Sequence, residues 1–216
     1  PKATAGAQEA PNIINTIDSA TPSNRPATRV PLMLPKPAKT TTIPYVELLS
    51  SIRVLDEVPA WAPTRNHLKR VGAAPKHHLA DPALAARLLG QDRHHLLTSG
   101  GSIPVPNDGT LLGNLFESLV TLSIRTYAQA NIGRVYHLRA EGGRREVDLI
   151  VELGDGVLAI EVKLGSSVDD RDVRHLTWLR DRLGSELIDA VVVNTGPEAY
   201  RRSDGIAVIP LALLGA

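Results

Sequence analysis

The run from Arg144 to Lys163, RREVDLIVELGDGVLAIEVK, constrains the fold more than any other stretch of the chain. Two β-rich segments flank Gly154-Asp155-Gly156, a turn composition suited to the positive backbone angles that close a hairpin. Side chains alternate faces along a strand. Val147, Leu149, Val151, Leu158, Ile160 and Val162 then share one apolar face. Glu146, Asp148, Ile150, Glu152, Ala159, Glu161 and Lys163 share the other. A turn at Gly154-Asp155 sets Asp148 opposite Glu161, and a turn at Asp155-Gly156 sets it opposite Lys163. In either register Asp148, Glu161 and Lys163 share a face, because opposed Cβ atoms sit about 4.5–5.5 Å apart.

Two carboxylates converging on a point make a hard oxygen site of the kind Mg²⁺ prefers. A lysine beside such an ion can orient or deprotonate an attacking water and offset phosphate charge, the parts needed for metal-assisted phosphodiester hydrolysis. The plainer reading is a hairpin with one wet face, where Asp, Glu and Lys form cross-strand ion pairs worth little. The spacing D-x₁₂-E-x-K is short and permissive, so pattern alone does not separate the two.

Asp148, followed after the turn by Glu161-Val162-Lys163, resembles the PD-(D/E)XK nuclease motif. The resemblance implies that Asp148 and Glu161 bind metal, that Lys163 is catalytic, and that the main-chain carbonyl of Val162 is an extra ligand. A helix carrying a glutamate usually precedes the motif, and Gly113-Asn114-Leu115-Phe116-Glu117 offers Glu117 as an outer or bridging acid. The ion implied is Mg²⁺ or Mn²⁺. Four longer segments resemble the uncharacterised C-terminal domain of a large group of bacterial and archaeal AAA-type ATPases. They are KHHLADPALAARLLG (Lys76 to Gly90), GTLLGNLFESLV (Gly109 to Val120), REVDLIVE (Arg145 to Glu152) and AIEVKLGSSV (Ala159 to Val168), and the likeness covers roughly residues 44–216. The ATPase part of such proteins is not evident. No G-x-x-x-x-G-K-[ST] occurs, so there is no ATP-binding motif in the chain.

Aromatic residues make up 3% of the 216 residues, too few for base-stacking platforms. The formal net charge is +1, so nucleic-acid affinity has to come from a local arginine patch. Arg139, Arg144, Arg145 and Arg174 are the candidates for holding phosphates, with Arg144 and Arg145 equally placed to pair with carboxylates. The chain has no cysteine, which excludes disulfides, thiolate metal sites and a cysteine nucleophile. No apolar run approaches the about 18–20 residues that span a bilayer, and no signal-peptide pattern opens the chain. An intracellular, cytoplasmic protein is expected. The first residue, Pro1, fits a processed or excised piece of something longer.

Residues 1–39 are rich in Pro, Ala, Thr, Ser and Asn and read as a disordered tail or linker. A docking peptide around Ile13, Ile14 and Ile17 is the functional alternative. Residues 40–98 read as an accessory helical, winged-helix-like segment. It has a helix over 44–51 with Pro44 in its first turn, a strand over 52–58, and a helix capped by Asp81 with Pro82 at its first position. Arg65 to His78 is locally basic. The adjacent pairs His77-His78 and His94-His95 point apart on any regular backbone and lack ligand spacing. Residues 91–110, with Gly100-Gly101, read as a loop.

Leu112, Leu115, Phe116, Leu119, Val120, Ile124 and Tyr127 predict a helix over 111–130, with Glu117 near the stripe's edge and Arg145 as its ordinary partner. A strand follows at 134–139, then a turn at 141–143 and the hairpin. Next come a helix over about 169–183, a strand over 189–194, a strand over 206–209 and a terminal turn. Arg174 or His175 on the late helix could assist the site. The order αβββαβ predicts an α/β, restriction-endonuclease-like core over residues 110–216, a mixed sheet flanked by helices. The functional expectation is a metal-dependent nuclease-like domain acting on DNA. The alternative is a non-catalytic interaction module, or truncated remnant, that docks to protein or nucleic acid.

Overall fold

The computed structural model describes residues 39–62, 74–98, 104–105, 109–154 and 156–215. The expected tail, most of the basic run from Arg65 and the Gly100-Gly101 pair lie outside the described residues. The described residues begin with helix α1 (Lys39–Ser51) and strands β1 (Leu55–Val58) and β2 (Lys76–Leu79). Helices α2 (Pro82–Leu88) and α3 (Arg93–Thr98) follow, then the short strands β3 (Pro104–Val105) and β4 (Gly109–Thr110). The core comprises α4 (Leu111–Ala130), β5 (Arg134–Ala140), β6 (Arg145–Leu153), β7 (Gly156–Val162), α5 (Asp170–Leu183) and β8 (Leu187–Asn194). Strands β9 (Tyr200–Arg201) and β10 (Ala207–Pro210) complete it.

Six strands form one mixed sheet in the order β5-β6-β7-β8-β10-β9. The first three are an antiparallel meander. β8 is parallel to β7, with α5 between them in the chain, and β10 is parallel to β8. The expected αβββαβ order is present. Helix α4 covers one face, packing Val120, Ile124 and Ala128 against Leu149, Val151, Ile160 and Val191. Helix α5 covers the other, packing Val173, Leu176 and Leu179 against Val147, Ile150, Ala159 and Val192. No face of the hairpin is wet, as a half-exposed hairpin would require. Ile150 and Ala159 are 0% exposed because α5 lies over them.

Several local expectations are corrected. Helix α1 starts before Pro44 and holds it inside, so the proline removes one donor from the second turn. The strand expected over 52–58 is shortened to Leu55–Val58. Its antiparallel partner β2 gives the accessory segment a strand pair as well as helices. The expected loop over 91–110 contains α3, with the Asp92 carboxylate accepting from the His95 N–H. On α4 the buried set is Leu111, Leu115, Ser118, Thr121, Ile124 and Ala128, with Val120. Leu119 is left 42% exposed, a rotation of the stripe imposed by the small residues that fit closest to the sheet. β9, two residues long, has no readable pattern.

The accessory segment is stitched to the sheet's edge. Ala60 forms a parallel bridge with His137, Trp61 N–H donates to the His137 carbonyl (2.7 Å), and His137 N–H donates to the Pro59 carbonyl (3.0 Å). Trp61 is 6% exposed and its indole N–H donates to Glu152 at 2.7 Å. This strip of chain covers the open edge of β5, where unpaired backbone would otherwise invite another strand.

Candidate functional site

The register of the hairpin pairs Leu149 with Ile160 and Leu153 with Gly156. That is the first of the two anticipated registers, and it carries Asp148 toward Glu161. The pairing with β5 then slips. Tyr136 faces Ile150 and Leu138 faces Val147, so His137 stands opposite both Asp148 and Leu149. One extra residue on β6 makes this a β-bulge, a device that bends a strand and re-aims a side chain. It also explains why Val147 packs under α5 while Leu149 packs under α4. The single shared face expected for Asp148, Glu161 and Lys163 is therefore broken at Asp148.

Past Leu149–Ile160 no further β6–β7 pair forms. The Asp148 carboxylate fills the gap, its Oδ2 accepting from the Val162 N–H at 2.9 Å. Its Oδ1 accepts from Lys76 Nζ at 3.3 Å, and the same ammonium donates to Glu117 Oε1 at 3.3 Å. Lys76 thus bridges an acid on β6 and an acid on α4. Burial pulls the Lys76 pKa down, but the charges and hydrogen bonds of Asp148 and Glu117 outweigh it and raise it overall. Glu117 is raised by burial and by the charge of Asp148, against the pull of Lys76. The ordinary partner foreseen for Glu117, Arg145, instead lies 3.8 Å from Glu141.

Glu161 and Lys163 follow strand alternation onto the α5 side. Lys163 Nζ lies 3.3 Å from Asp172 Oδ1 and 4.0 Å from Glu161 Oε1. Asp172 is placed by a capping box at the start of α5: its carboxylate accepts from the Asp169 N–H, while Asp169 accepts from the Asp172 N–H. Glu161 Oε2 is buried with no hydrogen-bond partner. Burial first, and the charge of Asp148 second, push the Glu161 carboxyl up to about 9. It is neutral at pH 7 in this arrangement, a perturbation of the sort that clusters at functional sites. Lys163 N–H donates to the Val193 carbonyl (2.9 Å) and Thr195 N–H to the Gly165 carbonyl (3.2 Å), so the chain leaving the site is held to β8.

The proposed phosphate holders divide. Arg139 is bound to Glu146, Arg144 Nε donates to the Glu141 carbonyl at 3.2 Å, and Arg145 pairs loosely with Glu141. Arg174 Nε donates to His175 Nε2 at 3.0 Å. His175 Nδ1 therefore donates to the Glu146 carbonyl (2.6 Å), which makes this histidine a brace between α5 and β6.

Lys76, His78 and Asp172 are the site residues that sequence reading missed. His77 and His78 do point apart. His77 reaches Glu57 (3.4 Å), and His78, 7% exposed, stands 3.9 Å from Glu117. Burial and then Lys76 push the His78 ring down to about 4. The signal available was the alternation of Lys76 and His78 in KHHL, which places both on one face of a strand.

The donor set formed by Glu117, Asp148 and Glu161 has the oxygen chemistry of a hard divalent cation, and the orphaned Oε2 of Glu161 fits one. As arranged, no group of three or more His, Asp or Glu among the described residues is set to hold a metal ion. The Lys76 ammonium takes the place between two of the three acids. No helix among the described residues is long and apolar enough to cross a membrane.

No curated protein matches the chain. Residues 36–95 match the family model of a domain of unknown function (DUF8612). Residues 112–214, which carry Glu117, Asp148, Glu161 and Lys163, are similar to a second domain of unknown function (DUF4143), and the bridging Lys76 comes from the first.

Proposed function

We propose that the chain carries a metal-dependent, nuclease-like site that hydrolyses phosphodiester bonds in DNA. The observation that carries this reading is the bulge at Asp148. It sets one carboxylate beside the buried carboxyl of Glu161, whose Oε2 has no hydrogen-bond partner, with Lys163 just past the end of the same strand. The resemblance to the PD-(D/E)XK motif supports it. Asp148 and Glu161 would hold Mg²⁺ or Mn²⁺, with the Val162 carbonyl and Glu117 as further oxygen donors. When bound, such an ion supplies a Lewis acid and a more acidic water. Lys163 leaves its ion pair with Asp172 to orient the attacking water and to offset charge on the phosphate. Glu117 keeps Lys76 close enough to neutralise the acids when no ion is held.

A second reading rests on Lys76. An ammonium already satisfying Asp148 and Glu117 is what a non-catalytic domain of this shape needs to bury two acids. In that reading the domain docks to protein or nucleic acid, as a module like the C-terminal domain of AAA-type ATPases. Plasmid and single-strand cleavage with Mg²⁺ and Mn²⁺, comparing wild type with Lys163→Ala, separates the two. The nuclease reading expects metal-dependent cleavage that falls at least about 100-fold in the variant. Absence of cleavage, together with absence of Mn²⁺ binding by calorimetry, leaves the docking module.

A further inference from the structure

The outer face of α5 carries Arg171, Arg174, Trp178 and Arg182, at steps of three, four and four residues. Residues at that spacing line up on one side of a helix. The three arginines are exposed and Trp178 is half-buried. The opposite side, Val173, Leu176 and Leu179, is packed on the sheet. Arg145, from the start of β6, extends the stripe. Its guanidinium lies 5.4 Å from the Trp178 ring centre, and that of Arg182 lies 5.9 Å away. The indole thus holds two cations in place by attraction to its π-face.

The acids of α5 leave this stripe uncompensated. Asp170 pairs with Arg202 (2.6 Å), Asp172 with Lys163 (3.3 Å) and Asp181 with Arg180 (3.9 Å). Arg171, Arg174 and Arg182 have no acidic partner among the described residues. In a chain of net charge +1 this is a local cationic track and not part of a general positive field.

We infer that this arginine stripe binds the phosphate backbone of a nucleic acid, leading it along α5 to Lys163. The eleven rises from Arg171 to Arg182 span about 16 Å at about 1.5 Å per residue. That is the axial rise of four to five phosphates of one strand at about 3.4 Å each. Its cations are all arginine, whose planar fork matches phosphate oxygens. Apart from the half-buried Trp178, the stripe lacks the apolar companions that a membrane-lying helix inserts among its cations. Its lower end meets the site directly, because Asp172, one residue from Arg171, holds Lys163. The inference deepens the nuclease reading and rests on it, but binding can be read without cleavage.

The test is fluorescence anisotropy of the full chain with a labelled 20-mer duplex in EDTA, from 50 to 200 mM KCl. It compares wild type, the triple variant Arg171→Gln/Arg174→Gln/Arg182→Gln, and the control Arg87→Gln/Arg93→Gln. Each phosphate that is no longer neutralised lowers the salt slope by about 0.9. Wild type should therefore weaken about 40-fold more than the triple variant across that range, while the control follows wild type. Circular dichroism checks that the triple variant is folded. Equal binding and slope in wild type and triple variant, or no wild-type binding at 50 mM salt, overturns the inference. Displacement of the duplex by polyglutamate as readily as by unlabelled DNA, charge for charge, also overturns it and points to an acidic protein. Binding by Lys163→Ala at wild-type strength, with no cleavage by wild type in Mg²⁺, keeps the stripe and removes the nuclease reading. Cleavage untouched by the triple substitution does the reverse.

Discussion

Two corners of one charge cluster solve the burial of a carboxylate in opposite ways. On the α4 side, Asp148 and Glu117 share the Lys76 ammonium at 3.3 Å each. On the α5 side, Glu161 has its nearest cation, Lys163, at 4.0 Å, and that cation sits closer to Asp172. The first corner is balanced by a fixed charge. The second is balanced by a proton, since Glu161 is pushed up to about 9 by burial and by Asp148. A buried acid must be paired or neutral, and the cluster contains one example of each within two adjacent strands. In the nuclease reading this is where a divalent ion would act. It would displace an ammonium at one corner and a proton at the other.

The largest effect is expected from removing the internal cation. Lys76→Met leaves Asp148 and Glu117 facing each other without compensation. Breaking a fully buried pair costs about 3–5 kcal/mol. The partial exposure of these side chains brings the expectation to about 2–3 kcal/mol. Urea unfolding at pH 7 measures it. If the nuclease reading holds, millimolar Mg²⁺ restores much of the loss by mass action. An unchanged unfolding midpoint with Mg²⁺ would place the acids outside any metal site.

Glu161→Gln should act in the other direction. The folded state keeps its proton to about pH 9, whereas an unfolded glutamate titrates near its ordinary value of about 4.3. Stability from this group is present below that value and is lost as pH rises through about 9. The variant is expected to be the more stable protein at pH 8 and to show a flatter decline between pH 5 and 9. A wild-type stability that does not fall over that window would contradict the buried neutral acid.

His78 supplies the opposite slope. Its folded pKa is lowered to about 4, so its contribution is present above about 6.5 and lost as pH falls toward 4. His78→Phe should remove part of the acid-side loss. Together with the Glu161 trend, this makes the two contributions nearly cancel between about pH 4.5 and 6.5 and leaves a net fall above that window, which unfolding midpoints across pH 4–9 would show. The smallest stability effect is expected at Lys163. It is 37% exposed and paired at the surface, so Lys163→Gln should cost under about 1 kcal/mol. If the nuclease reading holds, its effect on cleavage should nonetheless be among the largest, and a variant that keeps full activity would move the catalytic role elsewhere.

Much of the core was legible because its signals are local. The helix read over 111–130 is Leu111–Ala130, and the start of α5 near Asp169 and the hairpin on either side of Gly154 stand where composition placed them. Strands β8 and β10 were legible as apolar runs. The bulge at Asp148 was not, because it arises from pairing with β5 and has no pattern within β6 itself. Strict alternation therefore put Asp148 and Glu161 on one face, while the structure brings them together across a fork. Trp61 and Ala60 offered no sign that their segment would close the β5 edge, since a two-residue bridge to His137 is decided by where the preceding helix and strands pack.

By itself the sequence determined the αβββαβ order, narrowed the hairpin to two registers around the Gly-Asp-Gly turn, and set two acids and a lysine close enough to matter. Those follow from backbone preference and side-chain period, which act over a few residues. Only the tertiary structure decided that Lys76, 41 residues before Glu117 and 72 before Asp148, would supply the neutralising charge. It alone decided that Glu161 would be buried with one oxygen unpartnered and that three arginines of α5 would stand exposed beside a half-buried Trp178. Charge pairing and desolvation depend on distances across elements, and those distances exist only once the sheet and its two helices have packed.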